Sequence, residues 1–439
     1  MLYERWRQIA SERRDKLALR DTASGRRWTF SELFAAADGA PNSDSARCQV
    51  INSPNQSSAL PSKLAFPQGH SPEFILALLA AWREGKVVCP LEPGQFPSQV
   101  PEPPPPCIHL KATSATTGAA RMAAFTAEQL AADAENIVAT MGLRPEWPNL
   151  AVISMAHSYG FSNLVLPLLL HGVPLILAPS PLPEAVRRAA ERESALTLPA
   201  VPAMWRAWHE ADAIPQNVRL AISAGAPLPV ELEQAVFAAR GLKLHNFYGS
   251  TECGGIAYDA SETPRTDAAF AGAAMRNVEL SVSADGCLAV RSHAVAQAYW
   301  PTPAEELSAG VFQTSDLASV EAAGVFLRGR AGDLINVAGR KVPPLAIEQA
   351  LVCQPEVGAC LVFGVPDRDG ERNDLIVAAV VVRSSVNGEA LRKFLLEKIP
   401  AWQVPRDWWF VEALEANRVG KLSRAEWRRR YMEKRSILA

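Results

Sequence analysis

The sequence lacks the closely spaced cysteine pairs from which zinc sites and disulfide frameworks are built. Its seven cysteines stand at 48, 89, 107, 253, 287, 353 and 360, an odd number at irregular intervals that reads as reduced thiols. Net charge is almost absent too: 44 basic and 46 acidic side chains leave −2. That excludes a global field drawing the protein onto nucleic acid or an anionic membrane. No apolar run reaches the roughly 20 residues of a bilayer span. The most apolar window, 164–178, is interrupted by Pro167, His171, Gly172 and Pro174 and is expected to be buried core. Residues 1–17 carry Arg5, Arg7, Arg13, Arg14 and Lys16 without the apolar stretch of a signal peptide. A cytoplasmic protein acting on a small molecule is the expectation. No repeat at a fixed period is present, which excludes a solenoid.

What is present is apolar material for more than one core. The chain has 439 residues, 48% of them hydrophobic, and exceeds the roughly 250–300 residues at which a single core stops growing. Short apolar runs at 150–154, 174–178 and 219–223 alternate with helical patterns at 127–141, 182–194 and 230–239. The alternation predicts an α/β architecture with largely parallel sheets. Thr29 or Ser31 is placed to cap a helix. Stretches 41–66 and 90–106, rich in Pro and polar residues, read as connectors. After Gly329-Arg330-Ala331-Gly332-Asp333 the texture changes to a tail with β-branched runs at 359–364 and 376–382 and helical patterns at 387–398 and 423–433. The boundary is set at Gly332, giving a large domain 1–331 and a small domain 332–439.

Four segments carry residue types suited to nucleotide chemistry. Thr113-Ser114-Ala115-Thr116-Thr117-Gly118-Ala119-Ala120-Arg121 lies between an apolar strand and a helix. Its hydroxyls and backbone N–H groups suit phosphate oxygens and Arg121 adds charge, although it lacks the Gly-Lys-Ser/Thr of a P-loop and taken singly is also an ordinary turn. Asn246-Phe247-Tyr248-Gly249-Ser250-Thr251-Glu252 follows a strand-like run and offers an aromatic to stack, a glycine for close approach and one carboxylate. Mg²⁺ takes one or two carboxylates besides phosphate oxygens; a helix N-terminal acid is the other reading of Glu252. Asp316, in Thr314-Ser315-Asp316-Leu317, suits the two hydroxyls of a ribose, and Arg330 suits its oxygens or a phosphate. Finally, Gly420-Lys421 sits in a loop near the C-terminus, where an ammonium can stabilise charge developing in an in-line displacement. Taken alone, a Gly-Lys reads as the start of a solvated basic helix.

In this order and at these separations the segments resemble the acyl-adenylate-forming superfamily of acyl- and aryl-CoA ligases, peptide-synthetase adenylation domains and beetle luciferases. The resemblance spans nearly the whole chain. It likens Thr113–Arg121 to the family's phosphate loop, Tyr248–Glu252 to its aromatic-Gly-x-Thr-Glu signature and Ser223-Ala224-Gly225-Ala226-Pro227 to its adenine-side loop. Asp316 corresponds to its ribose aspartate, Gly329–Lys341 to its hinge stretch, and Val404-Pro405-Arg406, Phe410 and Gly420-Lys421 to its closing segment with the catalytic lysine. It implies a large N-terminal domain of layered sheets and helices, a small mobile α+β C-terminal domain, and a site between them using ATP, Mg²⁺ and a thiol acceptor. That acceptor is coenzyme A or, as the alternative, the phosphopantetheine of a carrier protein. Mg²⁺ is then held near Thr117 and Glu252, rotation occurs about Gly332, and Gly339 faces the thiol tunnel.

The substrate is implied by the stretch Met155–Phe161, where amino-acid-activating relatives carry an aspartate and this chain has no carboxylate. A fatty or aromatic acid without an α-amino group is expected, with His157, Tyr159 and Phe161 as a movable aromatic wall and Gly254-Gly255 as an open floor. The sequence departs from the family at Ala115, where Gly is usual, at Arg121, where Lys is usual, and at Gly332, where an acidic residue or Lys is common. The region before residue 110 is short. Those departures suggest a rival from another class, a nucleotide-binding interaction protein without catalysis. Oligomeric state is not legible.

Overall fold

The computed structural model describes residues 1–39, 63–95, 101–113, 121–367, 374–415 and 422–437. The expected connectors therefore fall partly outside the described residues, as do 114–120 of the phosphate loop and 416–421 with Gly420 and Lys421.

Local signals fix the first elements. Strand β1 (Leu17–Asp21) follows a helix, Leu2–Glu12, whose Trp6 is fully buried. Thr29 caps the helix Phe30–Asp38 in a reciprocal box with Glu32, which satisfies two backbone donors that the first turn leaves open. Strands β2 (His109–Ala112) and β3 (Met122–Phe125) pair antiparallel within a separate five-stranded sheet. Helix α1 (Ala127–Met141) starts from a second capping box, Thr126 with Gln129, and stops at Gly142 in the left-handed conformation.

Strands β4 (Asn149–Ala151), β5 (Leu175–Leu177), β6 (Leu196–Ala200), β7 (Val218–Ser223) and β8 (Leu244–Ser250) join β1 in a parallel array ordered β1-β5-β4-β6-β7-β8. Helices cover such strands on both faces, so they read as continuous apolar runs; β6 is buried along its whole length. The apolar window 164–178 is buried core as expected. It forms a π-helical turn (Phe161–Val165), a short helix (Leu166–His171) and β5. Gly172 ends that helix at φ +70°, where a side chain would also overlap Arg13.

Beyond β8 the pairing changes sense. Strand β9 (Gly254–Tyr258) runs antiparallel to β8 and is followed across the sheet by Phe270–Ala274. Next come β11 and β10, the hairpin formed by β10 (Val311–Glu321) and β11 (Gly324–Arg330), and then Cys287–Arg291 and Glu279–Val282. The expectation of largely parallel sheets is thus corrected for this half, where connections of two to four residues, at 251–253, 283–286 and 322–323, join strand pairs that can only run antiparallel.

The largest cluster of buried apolar side chains runs from Leu2 to Val325, and another begins at Ile335. The tail pairs Val357–Pro366 with Asp374–Val382 and adds Asp407–Phe410 alongside. Helix α2 (Arg424–Ile437) lays Trp427 and Tyr431 against Trp409, Phe363 and Val365. Among the described residues no helix is long and apolar enough to cross a membrane.

Trp205 ties the helix Pro202–Glu210 to the end of β7. It is fully buried, meets Trp208 edge-on at 5.2 Å and donates from Nε1 to the Ile222 carbonyl at 3.2 Å. Trp205→Ala is expected to cost about 3–5 kcal/mol, measured from urea unfolding; a loss near zero would contradict this packing.

Candidate active site

The carboxyl ends of parallel strands bring loops to one edge of the sheet, the usual place for ligands in open α/β folds. The adenine-side candidate loop leaves β7 there. Gly225 takes φ +85° and is exposed together with Ala226 and Pro227. A buried charge network holds the loop's far end: Arg265 donates from Nη2 to the Leu228 carbonyl at 2.7 Å and from Nε to Glu233 at 2.8 Å. Lys243 pairs with Glu233 and, at 2.7 Å, with Asp259.

The Tyr248–Glu252 signature occupies the end of β8 and the turn beyond it, so the strand reaches further than the run seen in sequence. Alternation along β8 sorts its residues. Asn246 is buried and donates to the Ala271 carbonyl at 3.1 Å, and Phe247 lies in the core against Tyr159. Tyr248 donates its hydroxyl to Asp316 Oδ2 at 2.6 Å, and Arg330 donates from Nε to Asp316 Oδ1 at 2.9 Å. Asp316 and Arg330 are direct register partners on β10 and β11. Burial first, then the facing Asp316 carboxylate, push the Tyr248 phenol well above its ordinary range, so it stays a neutral donor. Burial opposes the charge on Arg330, but Asp316 outweighs it and raises the guanidinium pKa.

Gly249 approaches the Gly254 carbonyl so closely that a side chain there would collide with it. Ser250 Oγ accepts from the Glu252 N–H at 3.2 Å and meets Cys253 Sγ at 3.2 Å, with Thr251 between them in the turn. No helix begins at Glu252, which removes the helix N-terminal reading. Its Oε1 instead accepts the Tyr299 hydroxyl at 2.9 Å. The Arg121 guanidinium lies over the Tyr299 ring at 4.0 Å and pairs with Glu306 at 2.7 Å. Arg121 also closes the base of the candidate phosphate loop: Thr113 N–H donates to its carbonyl at 2.8 Å, and its N–H donates to Thr113 Oγ1 at 3.2 Å. The base of the loop and Glu252 are therefore bridged by Tyr299, which sequence reasoning missed because a single Tyr between apolar residues carries no signal. Ser114, Thr116, Thr117 and Gly118 lie outside the described residues.

Among the described residues no group of three or more His, Cys, Asp or Glu side chains is arranged to hold a metal. The donor set fits a Mg²⁺ ion bound mainly through phosphate oxygens, for which one carboxylate suffices.

The acid-side expectations are partly revised. His157 caps a short turn, accepting from the Tyr159 N–H at 3.3 Å. Tyr159 donates weakly to the Ala200 and Ile222 carbonyls at 3.4 Å, where β6 and β7 end. Phe161 is no movable wall: it is 1% exposed and packs on His109 with ring centroids 4.3 Å apart. Gly254 and Gly255 do not leave an open floor either. A side chain at Gly254 would overlap Asp133, and one at Gly255 would overlap Met275, so the missing atoms make room for protein.

In the tail, Gly332 lies in a 3₁₀ turn (Ala331–Asp333) where a Cβ would meet nothing within 4 Å, and Gly339 takes φ +83° in a hairpin turn. Arg424 pairs with Asp333 at 2.8 Å and with Glu348 at 2.6 Å.

A family profile described as AMP-binding enzyme matches residues 104–343, and one described as AMP-binding enzyme C-terminal domain matches 346–421. The chain is 30% identical over 398 residues to a feruloyl-CoA synthase of Amycolatopsis, covering 82% of this chain and 78% of that protein. It is 27% identical over 334 residues to a 2-succinylbenzoate–CoA ligase of Bacillus cereus, covering 72% and 68%. The solved structure of ATP-bound MatB from Rhodopseudomonas palustris superposes with a TM-score of 0.83 over 98% of both chains at 20% identity.

Two substitutions separate the roles of the clusters. Asp316→Ala removes an acceptor of charge-assisted bonds and should raise the KM for MgATP roughly 10–100-fold. Arg121→Ala breaks a solvent-exposed ion pair worth about 0–1 kcal/mol to the fold and a cation–π contact with Tyr299 worth about 0.5–1 kcal/mol at an exposed site, so steady-state kinetics should register the loss and thermal melting should shift only slightly. Equal KM values in wild type and Asp316→Ala would place the nucleotide elsewhere. By the family profiles, the 30% identical relative and the shared adenylate-forming fold, the chain belongs to the AMP-binding enzymes.

Proposed function

We propose that this enzyme activates a fatty or aromatic carboxylic acid with ATP and passes the acyl group to the thiol of coenzyme A. The observation that carries the reading is the pair of clusters at the end of β8: Tyr248–Asp316–Arg330, suited to a ribose and its phosphate, and Glu252–Tyr299–Arg121, at the base of a hydroxyl-rich loop. The relatives' names, feruloyl-CoA synthase and 2-succinylbenzoate–CoA ligase, support an acid bearing a ring and CoA as acceptor.

In the first half-reaction a carboxylate oxygen of the substrate attacks the α-phosphorus of ATP, and the bond to the bridging oxygen breaks to release pyrophosphate. Mg²⁺, held by Glu252 and Thr117, would neutralise charge on the phosphate oxygens. Thr113, Ser114, Thr116, Gly118 and Arg121 hold the departing phosphates, Gly225, Ala226 and Pro227 border the adenine, and Tyr248 and Asp316 fix the ribose. Lys421 offsets the charge that builds between the carboxylate and the α-phosphate. In the second, a thiolate attacks the acyl carbon and AMP leaves. The domain 332–439 turns about Gly332 between the two, withdrawing Lys421 and bringing the Gly339 hairpin to the thiol path; such gating also keeps water from the adenylate. The break between the core clusters, after Val325 and before Ile335, supports a boundary at this point.

Screening acids for pyrophosphate release with and without CoA tests the reading. Release with at least one aryl or fatty acid, enhanced by CoA, is expected; a folded protein that binds ATP but releases none across the panel would favour a non-catalytic nucleotide-binding role. Lys421→Ala should slow adenylation by about 10²–10³-fold while retaining thioester formation from supplied acyl-AMP. Equal loss in both half-reactions would contradict the exchange of catalytic groups by rotation.

A further inference from the structure

Beneath the cleft lies a buried ion pair that none of the steps above uses. Asp133, in α1, and Lys111, in β2, are almost fully buried and stand 3.6 Å apart. Ser162, in the π-helical turn, donates its hydroxyl to Asp133 Oδ2 at 2.6 Å and accepts from Lys111 Nζ at 3.1 Å. The backbone N–H of Gly255 donates to Asp133 Oδ1 at 3.2 Å. The rings of Phe125 and Phe161 flank the Lys111 ammonium at 4.7 and 5.6 Å.

The place of each partner in the chain gives the cluster its meaning. Lys111 lies two residues before Thr113, where the phosphate loop leaves β2. Ser162 lies three residues beyond Tyr159. Gly255 lies three residues beyond Glu252. One carboxylate thus ties together the three segments that carry the phosphate-binding, acid-side and metal-side groups. A buried ion pair is poor evidence of stabilisation, since well-packed apolar side chains of the same volume generally do as well or better. What apolar side chains cannot supply is a directional bond to the Gly255 N–H. The glycine at 254, at φ +67° with no room for a Cβ above Asp133, lets the strand come close enough to make that bond.

We propose that Asp133 is a positioning residue for adenylation: through its bond to Gly255 it sets the register of Glu252 against the base of the phosphate loop. The proposal rests on the AMP-forming reading of the site, and its test is arranged to fail separately from that reading. Asp133→Leu/Lys111→Met replaces both charged groups with side chains of like shape and leaves Gly255 without an acceptor. Asp133→Asn/Lys111→Met also removes both charges but keeps an amide oxygen for Gly255 and an amide N–H for Ser162.

Folding is followed by thermal melting, MgATP affinity by calorimetry, and KM and kcat by acid-dependent pyrophosphate exchange. The Leu/Met protein should melt near the wild-type temperature yet lose on the order of 10²-fold in kcat/KM for MgATP, the scale of a misplacement near 1 Å, with the Asn/Met protein within about threefold of wild type. A folded Leu/Met protein with wild-type kinetics and MgATP affinity would overturn the proposal, and so would equal losses in the two proteins. Should the Leu/Met protein fail to fold, Gly254→Ala pushes on the same carboxylate from the other side. Weakened MgATP binding then supports the proposal, and unchanged binding refutes it. A wild-type protein that binds MgATP but exchanges pyrophosphate with no acid would count against the ligase reading alone, and the MgATP affinities of the variants would still decide the role of Asp133.

Discussion

The Asp316 carboxylate joins two parts of the sheet that the chain makes far apart. It accepts from Tyr248, 68 residues away at the end of the parallel array, and from Arg330, its partner across the last hairpin before the tail. Both bonds are charge-assisted, the kind that is shortest and strongest. Together they fix where the parallel half ends relative to the strand that leads into Gly332. A ribose seated on Asp316 would lie beside the point at which the tail departs, so one carboxylate relates nucleotide position to the origin of the rotation proposed for the tail.

The remaining polar groups of the cleft are held in the same manner, by partners from distant segments. Tyr299 connects Glu252 to Arg121, and Asp133 connects β2, the π-helical turn and β9. Arrangements of this kind suit a reaction whose acceleration comes from charges aimed in advance at the place where new charge develops. The apolar layers supply rigidity: Trp205 anchors the end of β7, and the window 164–178 contributes a buried helix and β5 to the main core.

Much of this was legible in the residues themselves. Helix α1 lies where the periodicity predicts it, and the apolar runs at 174–178 and 219–223 match β5 and β7 to within a residue, while the run at 150–154 starts one residue inside β4 and outlasts it by three. The segments around Tyr248, Asp316 and Arg330 were singled out singly, and the fold brings them together. Three things were hidden for physical reasons. Periodicity reports which faces are buried but not the sense of the neighbouring strand, so the antiparallel half was missed. A glycine pair reports that a side chain is unwelcome but not what occupies the space, so Gly254 and Gly255 were assigned to the substrate when they accommodate Asp133 and Met275. An aromatic such as Phe161 has the same composition in a wall as in a core. Lys111, a lone charge in an apolar strand, was the available sign of the buried pair.

The central claim is that this cleft makes an acyl-adenylate. The most direct measurement is to mix the protein with MgATP and an aromatic acid in the absence of CoA, quench, and identify the products by mass spectrometry. An acyl-AMP retained at close to one equivalent per protein, with pyrophosphate, is the result the account predicts. ADP with an acyl phosphate would contradict it, because attack would then have occurred at the γ-phosphorus and not at the α-phosphorus.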